Sequence, residues 1–461
     1  MPEILLTTIN AKWIHTSLAL RLLAANLGEY KDNCVIEEFA LRQGMDEKLD
    51  GIKKHNARII GISVSIWNVS QTTCLLRELA GKDKPIIVLG GPEVSVIDSS
   101  AEIFKYADYV IKGEGEHLFR ELCARLLTCS AAATAACQII SQTEPVDVTT
   151  VQQAYSLYTE EDLQKKLVYV ESVRGCPYTC TFCQSGTLSS TKKCREFPLQ
   201  NFLLEMDTLI KRGAARFKFL DRSFNVNTKR AVTIMNFFLE RILQANKNTM
   251  FVHFEITPET IPQEMLAVMR KFPQGTLRLE IGIQTLNPHT QTLIGRKIFS
   301  GKELENIRVI IENTNAIVHA DLIAGLPEEG FDSFAAGFDN LYACKPSEIQ
   351  LGILKCLGGT AVKTDAEKYG IVYSPQAPYE VIQTAALPKS DMDKIKNFAR
   401  FWEIIVNRGA FEDILPVLFK NESSVFKLFL KLSDHLLIKF GRNWGIDRQC
   451  LREAVIDWTK K

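Results

Sequence analysis

Short apolar runs alternate with stretches of three- and four-residue apolar spacing along most of the chain. In the N-terminal part the runs 4–9, 34–39, 58–64, 85–89 and 109–111 predict strands. The stretches 17–27, 46–55, 69–79, 101–106 and 116–127 predict helices between and after them. That βα order implies a parallel, doubly wound (Rossmann-like) sheet with ligands at the carboxyl ends of its strands. Periodicity then fades. Residues 130–137 are mostly alanine, and 142–153 are polar and contain Pro145, which predicts a linker with a short hairpin of its own. Thr159, three residues before Asp162, predicts a capped short helix.

The alternation resumes with predicted strands at 167–173, 216–221, 251–256, 277–283, 317–323 and 348–354, and helices such as 199–211, 228–245 and 301–313. Six β/α units suit a partial (β/α)6 barrel, with chemistry at the carboxyl ends of the strands. Polar residues alternate with apolar ones along these strands, so one set faces the barrel interior. Past residue 354 the pattern is mostly helical. Ile395, Phe398, Phe401, Trp402, Ile405 and Val406 form an apolar stripe that reads as packing. The expected domains are 1–128, a linker at 129–166, a barrel at 167–360 and a helical extension at 361–461.

Composition changes this picture little. The 461 residues carry 55 Lys and Arg against 54 Asp and Glu, so no bulk field recommends nucleic acid or an acidic membrane as partner. No basic leader and no run of about 18 apolar residues is visible, and twelve cysteines without a secretion signal suggest a reducing compartment. The expectation is a cytoplasmic protein.

Candidate chemistry lies at predicted strand ends. Ser63-Val64-Ser65, Gly90-Gly91-Pro92-Glu93 and Lys112-Gly113-Glu114-Gly115-Glu116 follow the third, fourth and fifth strands. Small hydroxyls can hydrogen-bond a ligand and glycines let backbone approach it, although such glycines also simply turn a chain. Neither G-x-G-x-x-G after the first strand nor G-x-x-x-x-G-K-[ST] occurs, which argues against a dinucleotide site or a P-loop. After the first barrel strand come Cys176, Cys180 and Cys183 at Cys-x3-Cys-x2-Cys spacing. A structural zinc site takes four protein ligands, whereas three thiolates on a cubic 4Fe-4S cluster leave one iron open. The alternatives are a zinc knuckle short of a ligand, or three unrelated thiols.

The cysteine spacing, with an aromatic residue just before the third Cys, resembles the cluster loop of the radical S-adenosylmethionine (SAM) enzymes. The resemblance implies a 4Fe-4S cluster on Cys176, Cys180 and Cys183, with SAM on the fourth iron and Phe182 beside the adenine. It also implies reductive cleavage of SAM to methionine and a 5'-deoxyadenosyl radical. Glu280, Gly282 and Gln284 match the SAM ribose and methionine region of that family, and Gly325-Leu326-Pro327 its loop after the fifth strand. Asp221 and Glu255 are further expected SAM contacts, although the family's Gly-Gly-Glu near Asp221 is absent. Pairing with Lys or Arg is the structural alternative for Asp221, Glu255 and Asp321. Arg195 stabilises charge near the cluster or caps a helix.

The N-terminal layout resembles the cobalamin-binding domain of one large radical SAM subfamily. This implies cobalamin around Ser63, Ser65, Gly90, Gly91, Glu93 and Glu114. The Asp-x-His-x-x-Gly motif that supplies a lower cobalt ligand is missing, and His15 stands at the wrong spacing, so cobalt without a His ligand is expected. Together the resemblances imply a cobalamin-dependent radical SAM enzyme methylating an unactivated carbon of a small molecule or peptide, with flavodoxin or ferredoxin as electron donor. Two alternatives stand beside it: radical SAM ring formation or oxidation without methyl transfer, and a non-catalytic corrinoid or iron-sulfur carrier.

Overall fold

The structure, a computed structural model, describes residues 2–81, 84–128, 137–185, 194–245, 250–296, 301–420 and 423–460. Cys129, Gly186 and the small-residue run 130–136 lie outside the described residues.

Strands β1 (Ile4–Asn10), β2 (Cys34–Ala40), β3 (Ile59–Ser63), β4 (Ile86–Gly90), β5 (Tyr109–Lys112) and β6 (Gln138–Ser141) form one parallel sheet in the order β2-β1-β3-β4-β5-β6. β1 is buried at every position, as a strand covered on both faces by helices must be. Ser17 caps the first helix by accepting from the Leu20 amide, which stops it at a defined point above the sheet. In place of the expected hairpin in the linker, residues 138–141 add β6 as a parallel edge strand beside β5. Only four residues long and mostly exposed, β6 carries too little alternation to announce itself. The expected cap is present: Thr159 and Asp162 exchange side-chain-to-backbone bonds at the start of helix Glu160–Lys165.

The second sheet holds β7 (Val168–Val170), β10 (Arg216–Phe219), β11 (Phe251–Ile256), β12 (Leu277–Gln284), β13 (Ile317–Ala324) and β14 (Glu348–Ile353), all parallel and in chain order. Its two edges do not pair, so the barrel is open. Between β7 and β10, the short pair β8 (Val173–Arg174) and β9 (Arg195–Glu196) brackets the cysteine loop. β12 alternates strictly: Leu277, Leu279, Ile281 and Ile283 are buried against the helices, while Arg278, Glu280, Gly282 and Gln284 face inward. The sidedness of every barrel strand follows from this period of two.

The C-terminal helices Lys389–Trp402 and Val425–Phe440 pack through the expected aromatic stripe. The Phe398 ring stacks on Trp402 and on Phe426, with centroids 5.6 and 4.6 Å apart. No helix among the described residues is long and apolar enough to cross a membrane.

Candidate functional site

Two cavities open at strand carboxyl ends, one in each sheet. The first, about 250 Å³, sits beyond β3, β4 and β5. Ser63, Gly90, Gly91 and Glu114 line it, together with apolar residues of helices Leu18–Ala25 and Glu116–Thr128. Its floor depends on glycine. Gly91 has φ +102, and a Cβ there would stand 2.6 Å from the Val64 carbonyl oxygen. The wall opposite is supplied by the barrel, through Glu171, Arg174 and Leu220.

Two residues expected here are elsewhere. Ser65 is buried in the turn after β3, where its amide donates to Asn68 Oδ1 at 2.8 Å. Glu93 is 1% exposed and accepts from the Tyr379 hydroxyl at 2.6 Å. Glu114 reaches the cavity rim but is engaged: Arg195 donates to its two oxygens at 2.5 and 2.8 Å, and the Val146 amide donates at 2.9 Å. Arg195 therefore neither caps a helix nor faces the cysteines. It ties the first domain to β9. His15 Nδ1 is bonded to the Tyr169 hydroxyl at 2.8 Å.

The second cavity, about 200 Å³, is lined by Cys176, Cys180 and Cys183 on one side and by Glu255, Glu280, Gly282, Gln284 and Asp321 on the other. Phe182 completes it. The cysteine loop is held by its backbone. Gly175 turns it at φ +100, the Cys183 amide donates to the Cys180 carbonyl, and the Thr181 amide donates to Ile294. Gly295 allows this approach, since a Cβ there would stand 3.1 Å from the Thr179 carbonyl oxygen. Among the described residues no three His, Cys, Asp or Glu side chains form a group able to hold a single metal ion. Three thiols lining one cavity are one ligand short of a structural zinc site and match a cubic cluster that leaves one iron open. Burial pushes the Cys180 thiol up to about 11, with Arg296 opposing; a coordinated metal would deprotonate it outright.

The far wall carries unmet polar groups. Gln284 Oε1, Asp321 Oδ1 and Glu259 Oε2 are buried with no hydrogen-bond partner. All are acceptors, and a ligand bearing an ammonium and hydroxyl donors would satisfy them. Gln284 sits at a bulge between β12 and β13 with φ 70, a conformation a non-glycine side chain seldom adopts. Deeper in, Glu280 is held down to about 2 by the His253 ring, whose Nε2 stands 3.1 Å from its carboxylate, with Lys218 Nζ at 3.1 Å adding to the effect. Burial raises the Asp321 carboxyl well above its usual range, and the Glu280 and Glu255 charges add to this. A cationic ligand would reverse it.

Asp221 is not brought into this cavity. It is 1% exposed, and its carboxylate accepts from the Ser172 amide at 2.8 Å and the Ser172 hydroxyl at 2.6 Å. The reason is parity. Phe217, Phe219 and Asp221 share the outward face, whereas Lys218, Leu220 and Arg222 share the inward one, and Arg222 lines the cavity. Arg222, Arg296 and Glu259 are cavity residues that the motifs did not flag. Arg222 could have been found by counting on from β10; Arg296 and Glu259 lie in loops where no period applies.

The cavities are joined by Arg174, two residues before Cys176. Its guanidinium reaches Glu116 at 2.8 Å and Glu171 at 3.0 Å, so the cysteine loop starts from an ion-pair network at the rim of the first cavity.

The chain matches the radical SAM superfamily over residues 170–339 and the B12 binding domain over residues 4–123. Residues 367–444 match a family described as a protein of unknown function (DUF4080). Over 435 residues the chain is 22% identical to the cobalamin-dependent radical SAM methyltransferase TokK of Streptomyces tokunonensis, covering 83% of this chain and 61% of that protein. It thus spans less than two thirds of that relative's length. Its fold is similar to OxsB, a cobalamin-dependent S-adenosylmethionine radical enzyme solved with aqua-cobalamin (TM-score 0.67, 14% identity, 100% of this chain and 75% of that one). It is also similar to TsrM, a radical S-adenosylmethionine methyltransferase from Kitasatospora setae solved with cobalamin and a 4Fe-4S cluster (TM-score 0.62, 15% identity, 82% of this chain and 78% of that one). At these identities the likeness is one of fold.

Proposed function

From the premise that the chain is a radical SAM enzyme with a B12-binding domain, we propose that it transfers a methyl group to an unactivated carbon of a small molecule or peptide. The observation that carries this reading is the pair of cavities: one lined by three thiols and unpaired acceptors, the other apolar and floored by glycine. In this reading Cys176, Cys180 and Cys183 hold a 4Fe-4S cluster. Asp321, Gln284 and Glu255 take the polar groups of SAM, with Phe182 beside its adenine. Ser63, Gly90 and Gly91 border the corrinoid's nucleotide tail. When bound, the cluster supplies the electron that cleaves SAM, and the corrinoid carries the methyl group.

The chain's own residues do the positioning. Acceptors fixed on β12 and β13 orient an ammonium and a ribose without reorganising, because their strands are packed on both sides. Lys218 supplies the positive charge opposite Glu280 at 3.1 Å, while burial keeps the neighbouring His253 ring uncharged. The His15–Tyr169 bond supports a reading in which cobalt takes no lower ligand from His15. The electron would come from a small donor of the flavodoxin or ferredoxin kind.

Anaerobic reconstitution with iron, sulfide and hydroxocobalamin tests this. The expected result is about four irons and about one cobalt per chain. A Cys176/Cys180/Cys183→Ala triple variant should lose the iron and keep the cobalt. Iron without cobalt would rule out methyl transfer through cobalt, and iron retained by the triple variant would overturn the cluster assignment.

A further inference from the structure

We infer that Tyr379 is a positioning residue that latches the loop after β4 to the cysteine loop, so that the segment 356–379 couples the alignment of the two cavities. What the loops hold rests on the function proposed above; the latch itself rests on geometry.

Tyr379 and Glu93 are 286 positions apart, yet the phenol donates to the buried Glu93 carboxylate at 2.6 Å. Glu93 is the anchor of its loop. Its amide donates to Val64, and its carbonyl accepts from the amides of Val96 and Ile97. The backbone of Tyr379 is also bound, donating to Gln376 and accepting from the Cys356 amide at 3.0 Å. Tyr379 has φ +57, a left-handed conformation that is costly for a bulky side chain and persists only where surrounding contacts impose it. The Lys363 ammonium stands 5.6 Å from its ring centre and helps fix the ring.

From Cys356 the segment runs directly to both loops. Gly358 lies so close to the loop after β4 that a Cβ would stand 2.7 Å from the Val96 carbonyl oxygen. Its own carbonyl accepts from Gln184 Nε2 at 3.5 Å, one residue past Cys183. Four residues on, the Val362 amide donates to the Thr181 carbonyl at 3.0 Å, between Cys180 and Cys183. One short segment therefore bonds the backbone of the cysteine loop at one end and the buried acid of the other loop at its other end. Such an element gives the two sites a fixed relative position, which reaction between two bound groups requires.

Amide hydrogen exchange on the full-length, cofactor-free protein tests the latch through peptides covering 90–98 and 179–185. Tyr379→Phe removes one hydrogen bond and leaves the ring. Both peptides should exchange about fivefold faster or more, with the C-terminal helices unchanged. Glu93→Gln, whose amide oxygen still accepts the phenol, should exchange like the parent. The Kd for hydroxocobalamin, read by absorbance, should rise about tenfold in Tyr379→Phe and little in Glu93→Gln. Unchanged exchange in both loops overturns the inference, and loosening of 90–98 alone overturns the coupling. If the loops loosen together but the parent protein takes up no hydroxocobalamin, the latch stands and the corrinoid reading falls.

Discussion

Asp221 illustrates how far a single residue's position can mislead. The family resemblance suggested a SAM contact at this position, yet parity turns the side chain outward onto Ser172. Burial raises its carboxyl to about 7 against an ordinary 3.8, with the Ser172 bonds opposing. The fold thus favours the protonated acid. Its stabilising effect is complete below about pH 4 and is lost as pH rises through about 7. Asp221→Asn keeps the shape without the charge. Urea unfolding should find it about 1–3 kcal/mol more stable than the parent at pH 8 and no more stable at pH 4. Equal stability at both values would mean that the native acid is already ionised at low pH. The same inward count that excludes Asp221 finds Arg222, so the sequence held the better candidate one position on.

At the scale of elements, strands and helices were largely legible because their periods are local. The runs predicting β1 to β5 and the six barrel strands each reappear as strands, and the Thr159 cap forms where the spacing placed it. β6 was missed because a four-residue exposed edge strand has no buried face to pattern. The glycines after β4 carry more than a turn. Gly91→Ala would force a Cβ onto the Val64 carbonyl at a φ that alanine resists. It should lower stability by about 2 kcal/mol or more in thermal or urea unfolding. Gly44→Ala, with φ −62 and open space around it, is the control and should change stability by less than about 0.5 kcal/mol.

At the scale of the whole molecule, the two domains are joined by ion pairs that no motif announces. Arg195 and Glu114 are 81 positions apart and largely shielded, at 18% and 22% side-chain exposure. Without Arg195 the Glu114 carboxylate keeps Arg174 at 3.9 Å and the Val146 amide, so Arg195→Ala should cost about 1–2 kcal/mol. Combined with Glu114→Gln, the cost should be smaller than the sum of the two single changes. A strictly additive double-mutant cycle would show that the pair is not coupled.

The division between what was readable and what was not follows from the range of the interactions. Cysteine spacing, strand alternation, glycine placement and helix caps act over fewer than about ten residues, so the chain alone determined most of the elements, their order and the loop carrying three thiols. Which side chains meet is a matter of contacts between distant positions. Glu93 with Tyr379, Asp221 with Ser172, Glu114 with Arg195 and the segment 356–379 across both loops leave no local period behind. They exist only once the sheets have packed, because each buried acid must find a donor wherever the fold has brought one.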